Sequence, residues 1–135
     1  MATKMGVLIL HGIGRQKGDF AEGIIYELKK RIRKAGHEPD DISFVPVHWA
    51  PVIDSKENDL WDKIYKDNDL DWIKLRQFII SVLGDAVAYN QRPPNEIYTK
   101  IHELFHGYLV NLRAVEFENQ DKPIVIMAHS MGTHI

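Results

Sequence analysis

The chain contains no cysteine. Disulfides, thiol catalysis and cysteine–zinc sites are therefore excluded, and such a composition suits a reducing compartment. Neither charge is in excess: 17 basic and 19 acidic residues leave a formal net charge of −2. That balance steers the chain toward neither nucleic acid nor an anionic membrane. Long apolar runs are missing too. The stretch from Phe78 to Tyr89 is interrupted by Asp85 and is too short to span a bilayer. The N-terminus, MATKMGVLIL, holds one lysine and leads straight into His11-Gly12. It lacks the length and the small-residue cleavage site of a signal peptide. The expectation is a soluble, cytoplasmic protein with no transmembrane segment and no nucleic-acid partner.

What is present suits one domain: 135 residues, 44% of them apolar, are enough for a real core. Gly6 to Leu10 is apolar without interruption, as expected of a strand covered on both faces in a parallel sheet. Asp19 and Glu22 have capping-box spacing, which predicts a helix opening there. Phe20, Ile24, Leu28 and Ile32 repeat every four residues, and Gly36 is a natural stop. Ile42 to Trp49 reads as a second strand, with Pro46 placing it at a sheet edge or marking its end.

Beyond it lies a helical insertion at about 52–92. Its helices run from Asp59 to about Tyr89, breaking near Asn68, and Asn90-Gln91-Arg92-Pro93-Pro94 ends it. Asn95 can cap a further helix reaching about Val115. On that helix Ile97, Ile101, Leu104, Phe105, Tyr108, Leu109 and Leu112 share one face. A polar turn from Glu116 to Lys122 precedes Ile124 to Ala128, a third strand of buried type. Strands separated by helices predict an α/β fold of three parallel strands with crossover helices, in the order second, first, third.

Three motifs compete for the chemistry. The first is Ala128-His129-Ser130-Met131-Gly132, directly after the third strand. A serine nucleophile must be lifted clear of the sheet on a sharp, strained strand-to-helix turn. Such a turn demands small residues two before and two after it. Gly132 meets that demand, and Ala128 meets it with one methyl to spare. His11-Gly12-Ile13-Gly14, also directly after a strand, completes the pattern. Acyl transfer needs two N–H donors for the developing oxyanion. The Met131 N–H is one, and the Ile13 N–H is the leading candidate for the other, with Gly12 or Gly14 as alternatives.

These two strand–turn motifs resemble the lipase and esterase branch of the α/β-hydrolase superfamily. More narrowly, four stretches are similar to the DDHD-type intracellular phospholipases A1 and their bacterial relatives: His11 to Gly14, Val45 to Trp49, Gly84 to Tyr89 and Ala128 to Gly132. The resemblance implies a serine hydrolase of an ester or lipid, with Ser130 as nucleophile and no cofactor. It also implies a triad order of Ser, then Asp or Glu, then His.

Only five residues follow Ser130, and none is acidic. The sequence is thus expected to be the N-terminal half of the domain, truncated just after the nucleophile turn and inactive by itself. Its expected partners are the missing C-terminal half or a second copy, joined through the third strand. His134 is too close to Ser130 to reach back as base, and His129 is expected to pack beneath the turn. His11 either hydrogen-bonds its loop, the more ordinary role, or serves Ser130 as base in a dyad.

The second motif, His102-Glu103-Leu104-Phe105-His106, matches H-E-x-x-H, in which two histidines bind zinc and the glutamate is general base. On the helical wheel His106 lies roughly 130° from the apolar centre and Glu103 nearly opposite it, so both are expected to face water. A zinc metallopeptidase is nonetheless an alternative class, as is a non-catalytic binding module. The third motif, Gly12 to Gly18 with Arg15 and Lys17, can seat a phosphate on a helix N-terminus. The second strand, however, ends Val47-His48-Trp49 without the acid that a dinucleotide ribose needs. The apolar residues of the insertion, Trp61 and Trp72 among them, can line an acyl pocket, though ordinary packing onto the sheet is the simpler role.

Overall fold

Residues 5–10 form strand β1 (Met5–Leu10), the centre of a parallel sheet ordered β2–β1–β3 in the computed structural model. That model describes residues 3–12, 17–53 and 96–135. Strand β2 (Ile42–Val47) pairs along the whole of β1, and β3 (Ile124–Ala128) pairs from Gly6↔Ile124 to Leu10↔Ala128. The expected strand order is the observed one. Pro46 lies opposite Ile9 on a strand with no described neighbour on its other side, where a missing N–H costs no ladder bond.

The central position explains the apolar run of β1. Leu8 and Leu10 point to one face, where they meet Val47, Leu112 and Phe117. Val7 and Ile9 point to the other, against Ala21, Phe20 and Ile25. Helix α1 (Glu22–Lys34) covers this second face, and α2 (Glu96–Asn111) covers the first. Just past α2, Leu112 and Phe117 lie so close on the sheet that a side chain at position 6 would collide with them. A Cβ on Gly6 would stand 2.6 Å from Leu112 Cδ2.

The helix ends differ from expectation in one respect. Helix α1 starts at Glu22 with Ala21 as N-cap and no side-chain cap. Asp19 contributes its carbonyl, which accepts from the Glu22 N–H at 3.0 Å, so the Asp19–Glu22 capping box does not form. Gly36 does end the helix, at φ 82°. The His37 N–H donates to Ile32 O and the Gly36 N–H to Arg33 O, a complete Schellman closure.

Helix α2 buries Ile97 and Ile101 and half-buries Leu104, Phe105, Tyr108 and Leu109, as its wheel predicts. It then widens into a π turn at Leu112–Glu116. The extra residue in that turn brings Phe117 into the core at 1% exposure. The sequence places Phe117 in a polar turn, because Glu116 and Glu118 on either side mask it. Glu118 and Asn119 reverse the chain at φ 52° and 60°.

Strand β3 departs from a buried type: Ile124, Val125 and Ile126 are 42%, 43% and 57% exposed. An open apolar cavity of about 480 Å³ lies on the α1 side, lined by Val7, Leu28, Ile32, Phe44, Val125 and Met127. Among the described residues no helix is long and apolar enough to cross a membrane. The helices expected between Asp59 and Tyr89, the breaker at 90–94, the Asn95 cap, and Ile13 and Gly14 lie outside the described residues. Of the insertion only residues 52 and 53 are described, and they end a helical turn at 50–53.

Candidate active site

The C-terminal ends of β1 and β3 lie side by side, Leu10 opposite Ala128. The chain leaves β3 through His129, which is extended at φ −125° and donates its N–H to Leu10 O at 3.2 Å. It then turns abruptly into a short 3₁₀ segment, Ser130–His134. Ser130 itself is at φ 53°, one of three non-glycine residues with positive φ among those described. An L-residue there holds its Cβ close to the following carbonyl, a strain of about 1–2 kcal/mol. The strain is held by neighbours on both sides. The Gly132 N–H donates to His129 O at 3.0 Å, and the Thr133 hydroxyl donates to Ser130 O at 2.7 Å.

Two glycines allow the close approach. Gly132 is buried, and a Cβ there would stand 2.6 Å from His11 O and 3.0 Å from Leu10 Cβ. A Cβ on Gly12 would stand 2.9 Å from Ser130 Cβ and 3.0 Å from His129 Nδ1. Gly12 and Ser130, 118 positions apart in the chain, are therefore in contact. Ser130 is exposed. Met131 is half-buried and packs on the cluster formed by Trp49, Ile53, Ile97 and Ile101. Its side chain thereby anchors the backbone directly after the serine.

His11 is bound on all sides. It is buried at 5% exposure. Its ring stacks on Trp49 with centroids 4.5 Å apart and an interplanar angle of 13°, and meets Phe20 edge-on at 4.8 Å. Nε2 lies 3.2 Å from the Trp49 N–H and 3.3 Å from the Ala50 N–H, and Nδ1 lies 2.8 Å from Gly12 O. Both backbone N–H groups can only donate, so Nε2 is the acceptor and Nδ1 carries the proton. The Trp49 indole N–H returns the contact by donating to His11 O at 3.1 Å.

Burial lowers the pKa of His11 below the ordinary histidine value. The bond to the Gly12 carbonyl opposes that shift, and the neighbouring charge of His48 adds to it. With both ring nitrogens engaged, His11 takes the loop-bonding role and is not placed to serve Ser130 as base. The sequence leaves the two roles open. It gives no sign of Trp49 and Ala50 as partners beyond the aromatic residue just past β2.

The other expected positions fare differently. His129 is exposed and stands beside Gly12, not packed beneath the turn, because the extended backbone at 129 turns its side chain outward. On α2, Glu103 and His106 are exposed and His102 lies against Tyr98 at 4.2 Å. Among the described residues no group of three or more metal-ligating side chains comes together. Helix α1 begins four residues beyond Gly18, so the glycine run does not feed directly into its N-terminus, and Arg15 lies outside the described residues. No family model, no curated protein and no solved structure matches the chain.

Proposed function

We propose that Ser130 is the nucleophile of a cytoplasmic serine hydrolase acting on a carboxylic ester or lipid, built on part of an α/β-hydrolase fold. The observation that supports this reading best is the strained, exposed Ser130 at the end of a parallel strand, in contact with Gly12 at the end of the neighbouring strand. A nucleophile turn needs each of these features: a lifted hydroxyl, a small residue two positions on, and a glycine loop alongside. In this reading the Ser130 oxygen adds to the ester carbonyl and its proton passes to a histidine base. The alcohol then leaves as an acyl-enzyme forms, and water releases the acid. The Met131 N–H and the Ile13 N–H would hold the oxyanion.

The test compares hydrolysis of short- and long-chain esters by residues 1–135 with hydrolysis by a form extended with the downstream residues of its own reading frame. The extended form should hydrolyse one of these esters, and Ser130→Ala should remove about four to six orders of magnitude of kcat. The 135-residue chain should show little turnover. Full activity in the Ser130→Ala variant would overturn the assignment. Strong turnover by residues 1–135 that is lost on His11→Ala would instead restore the dyad. The resemblance to phospholipases A1 makes a glycerophospholipid the first long-chain substrate to try.

A further inference from the structure

We propose that His11 is an acid-released latch: its neutral ring ties the loop after β1 to the residues after β2, and protonation of Nε2 undoes the tie. The argument is one of donors and acceptors. Nε2 faces two backbone N–H groups, those of Trp49 and Ala50, at 3.2 and 3.3 Å. A proton on Nε2 would turn both bonds into donor–donor contacts inside a buried cluster. The released N–H groups would then lack an acceptor, and each buried unpaired donor is costly.

Nδ1 cannot compensate, because its own proton is already given to the Gly12 carbonyl at 2.8 Å. Of the elements packed on the ring, the loop before α1 presents Phe20, and the segment after β2 presents Trp49 and His48, whose ring lies 5.5 Å away. Phe20 and Trp49 bear no charge. His48, once protonated, repels a second positive ring. Among the described residues no carboxylate faces His11 to stabilise an imidazolium.

Two regions move when the latch opens. One is the helical turn at 50–53, whose first N–H groups His11 holds as a cap would. The other is Gly12, whose carbonyl stays bonded to the Nδ1–H and so follows the ring as it shifts, and which touches Ser130. Acid would therefore loosen the neighbourhood of Ser130 while leaving the sheet paired. This inference concerns the loop alone and stands or falls separately from any hydrolase activity.

The experiment is an NMR titration of the unmodified chain from neutral pH to about pH 4.5, with no substrate present. Imidazole nitrogen shifts should show His11 as the Nδ1–H tautomer at neutral pH. The Trp49 and Ala50 amide signals should titrate together with it. Below about pH 6.5 their hydrogen-exchange protection should fall about tenfold per pH unit, once corrected for intrinsic rates, while that of Leu8 stays constant. His11→Phe keeps a ring in the stack but accepts no hydrogen bond. In that variant, if folded, the pH dependence at Ala50 should vanish. An Nε2–H tautomer at neutral pH would overturn the proposal. So would His11 titrating at the ordinary value with Trp49 and Ala50 unmoved.

Discussion

Gly12 and Ser130 meet across the ends of β1 and β3 so closely that one methyl group on Gly12 would stand 2.9 Å from Ser130 Cβ. The turn after β3 is thus fitted against the loop after β1 by the absence of side chains. Gly132 is tighter still, because its obstacle is the His11 carbonyl at 2.6 Å, which is backbone and cannot rotate away. Gly132→Ala should cost about 1–3 kcal/mol, as overpacking does. Gly107 makes the contrast. It lies exposed within α2 with nothing within 4 Å of a built Cβ. Gly107→Ala should stabilise by about 0.5–1 kcal/mol through helix propensity. Urea unfolding of the two variants beside the parent checks both signs at once.

Ser130 should show the same relationship between strain and use. At φ 53° it occupies a region that costs an L-residue free energy and costs glycine almost none. Ser130→Gly is therefore expected to raise the unfolding free energy by about 1 kcal/mol. Ser130→Ala keeps the Cβ and should leave it nearly unchanged. With Ser130 as the proposed nucleophile, both variants should lack any ester hydrolysis that the parent sequence shows. A destabilised Ser130→Gly protein would mean that the side chain has a packing role, and would weaken the case for a nucleophile turn.

Much of the architecture was legible because it follows from local periodicity. An uninterrupted apolar β1 required cover on both faces, and Leu8 and Val7 have it. Pro46 required an edge, and β2 has no described strand beyond it. The contact between the two strand-end motifs was also legible, since parallel strands with crossovers bring their C-terminal ends together.

What was not legible depended on long-range packing or on single-residue geometry. Phe117 enters the core only because the end of α2 widens into a π turn, which no propensity marks. Phe117→Ala should accordingly cost about 3–5 kcal/mol in spite of its polar neighbours. The tie from His11 to Trp49 and Ala50 spans 38 and 39 positions and leaves no periodic trace. Likewise, the Asp19–Glu22 spacing fits a capping box, yet the chain caps α1 at Ala21 without a side chain.

The pKa of His11 fixes the sign of one pH effect on stability. Burial lowers the folded-state value, while the unfolded chain keeps the ordinary value of about 6.5. Between those two values the unfolded state binds a proton that the folded state refuses, so stability rises with pH in that window. The contribution is complete above about pH 6.5 and is lost as pH falls from there through the folded value. Thermal unfolding followed from pH 7.5 to 5 should show a falling Tm, with a smaller slope in His11→Phe. An unchanged slope in the variant would show that the pH effect arises at other histidines.

The last prediction concerns β3, whose far edge pairs with no described strand and whose residues Ile124, Val125 and Ile126 are largely open. By register, Ile126 shares a face with Leu8, while Val125 shares the α1 side with Val7 and borders the open apolar cavity. Among the described residues, apolar side chains on both faces of the strand and its backbone edge are therefore open together. An edge row of N–H and C=O groups with no described strand beside it is a template for another extended strand. In a purified sample the open edges always present are those of β2 and β3 of a second copy; β2 carries Pro46, which lacks a donor, whereas two β3 edges related by a twofold axis present the same groups to each other. Residues 1–135 are expected to self-associate in this way at tens of micromolar. Ile126→Lys should shift the population toward monomer, since a charge on an edge strand opposes pairing. Because Ile126 is 57% exposed, the change removes little buried surface, and the circular dichroism spectrum should be preserved. Sedimentation velocity over a dilution series distinguishes the outcomes: a parent chain that stays monomeric at every concentration, or an Ile126→Lys variant that associates as strongly as the parent, would rule out the β3 edge as the contact.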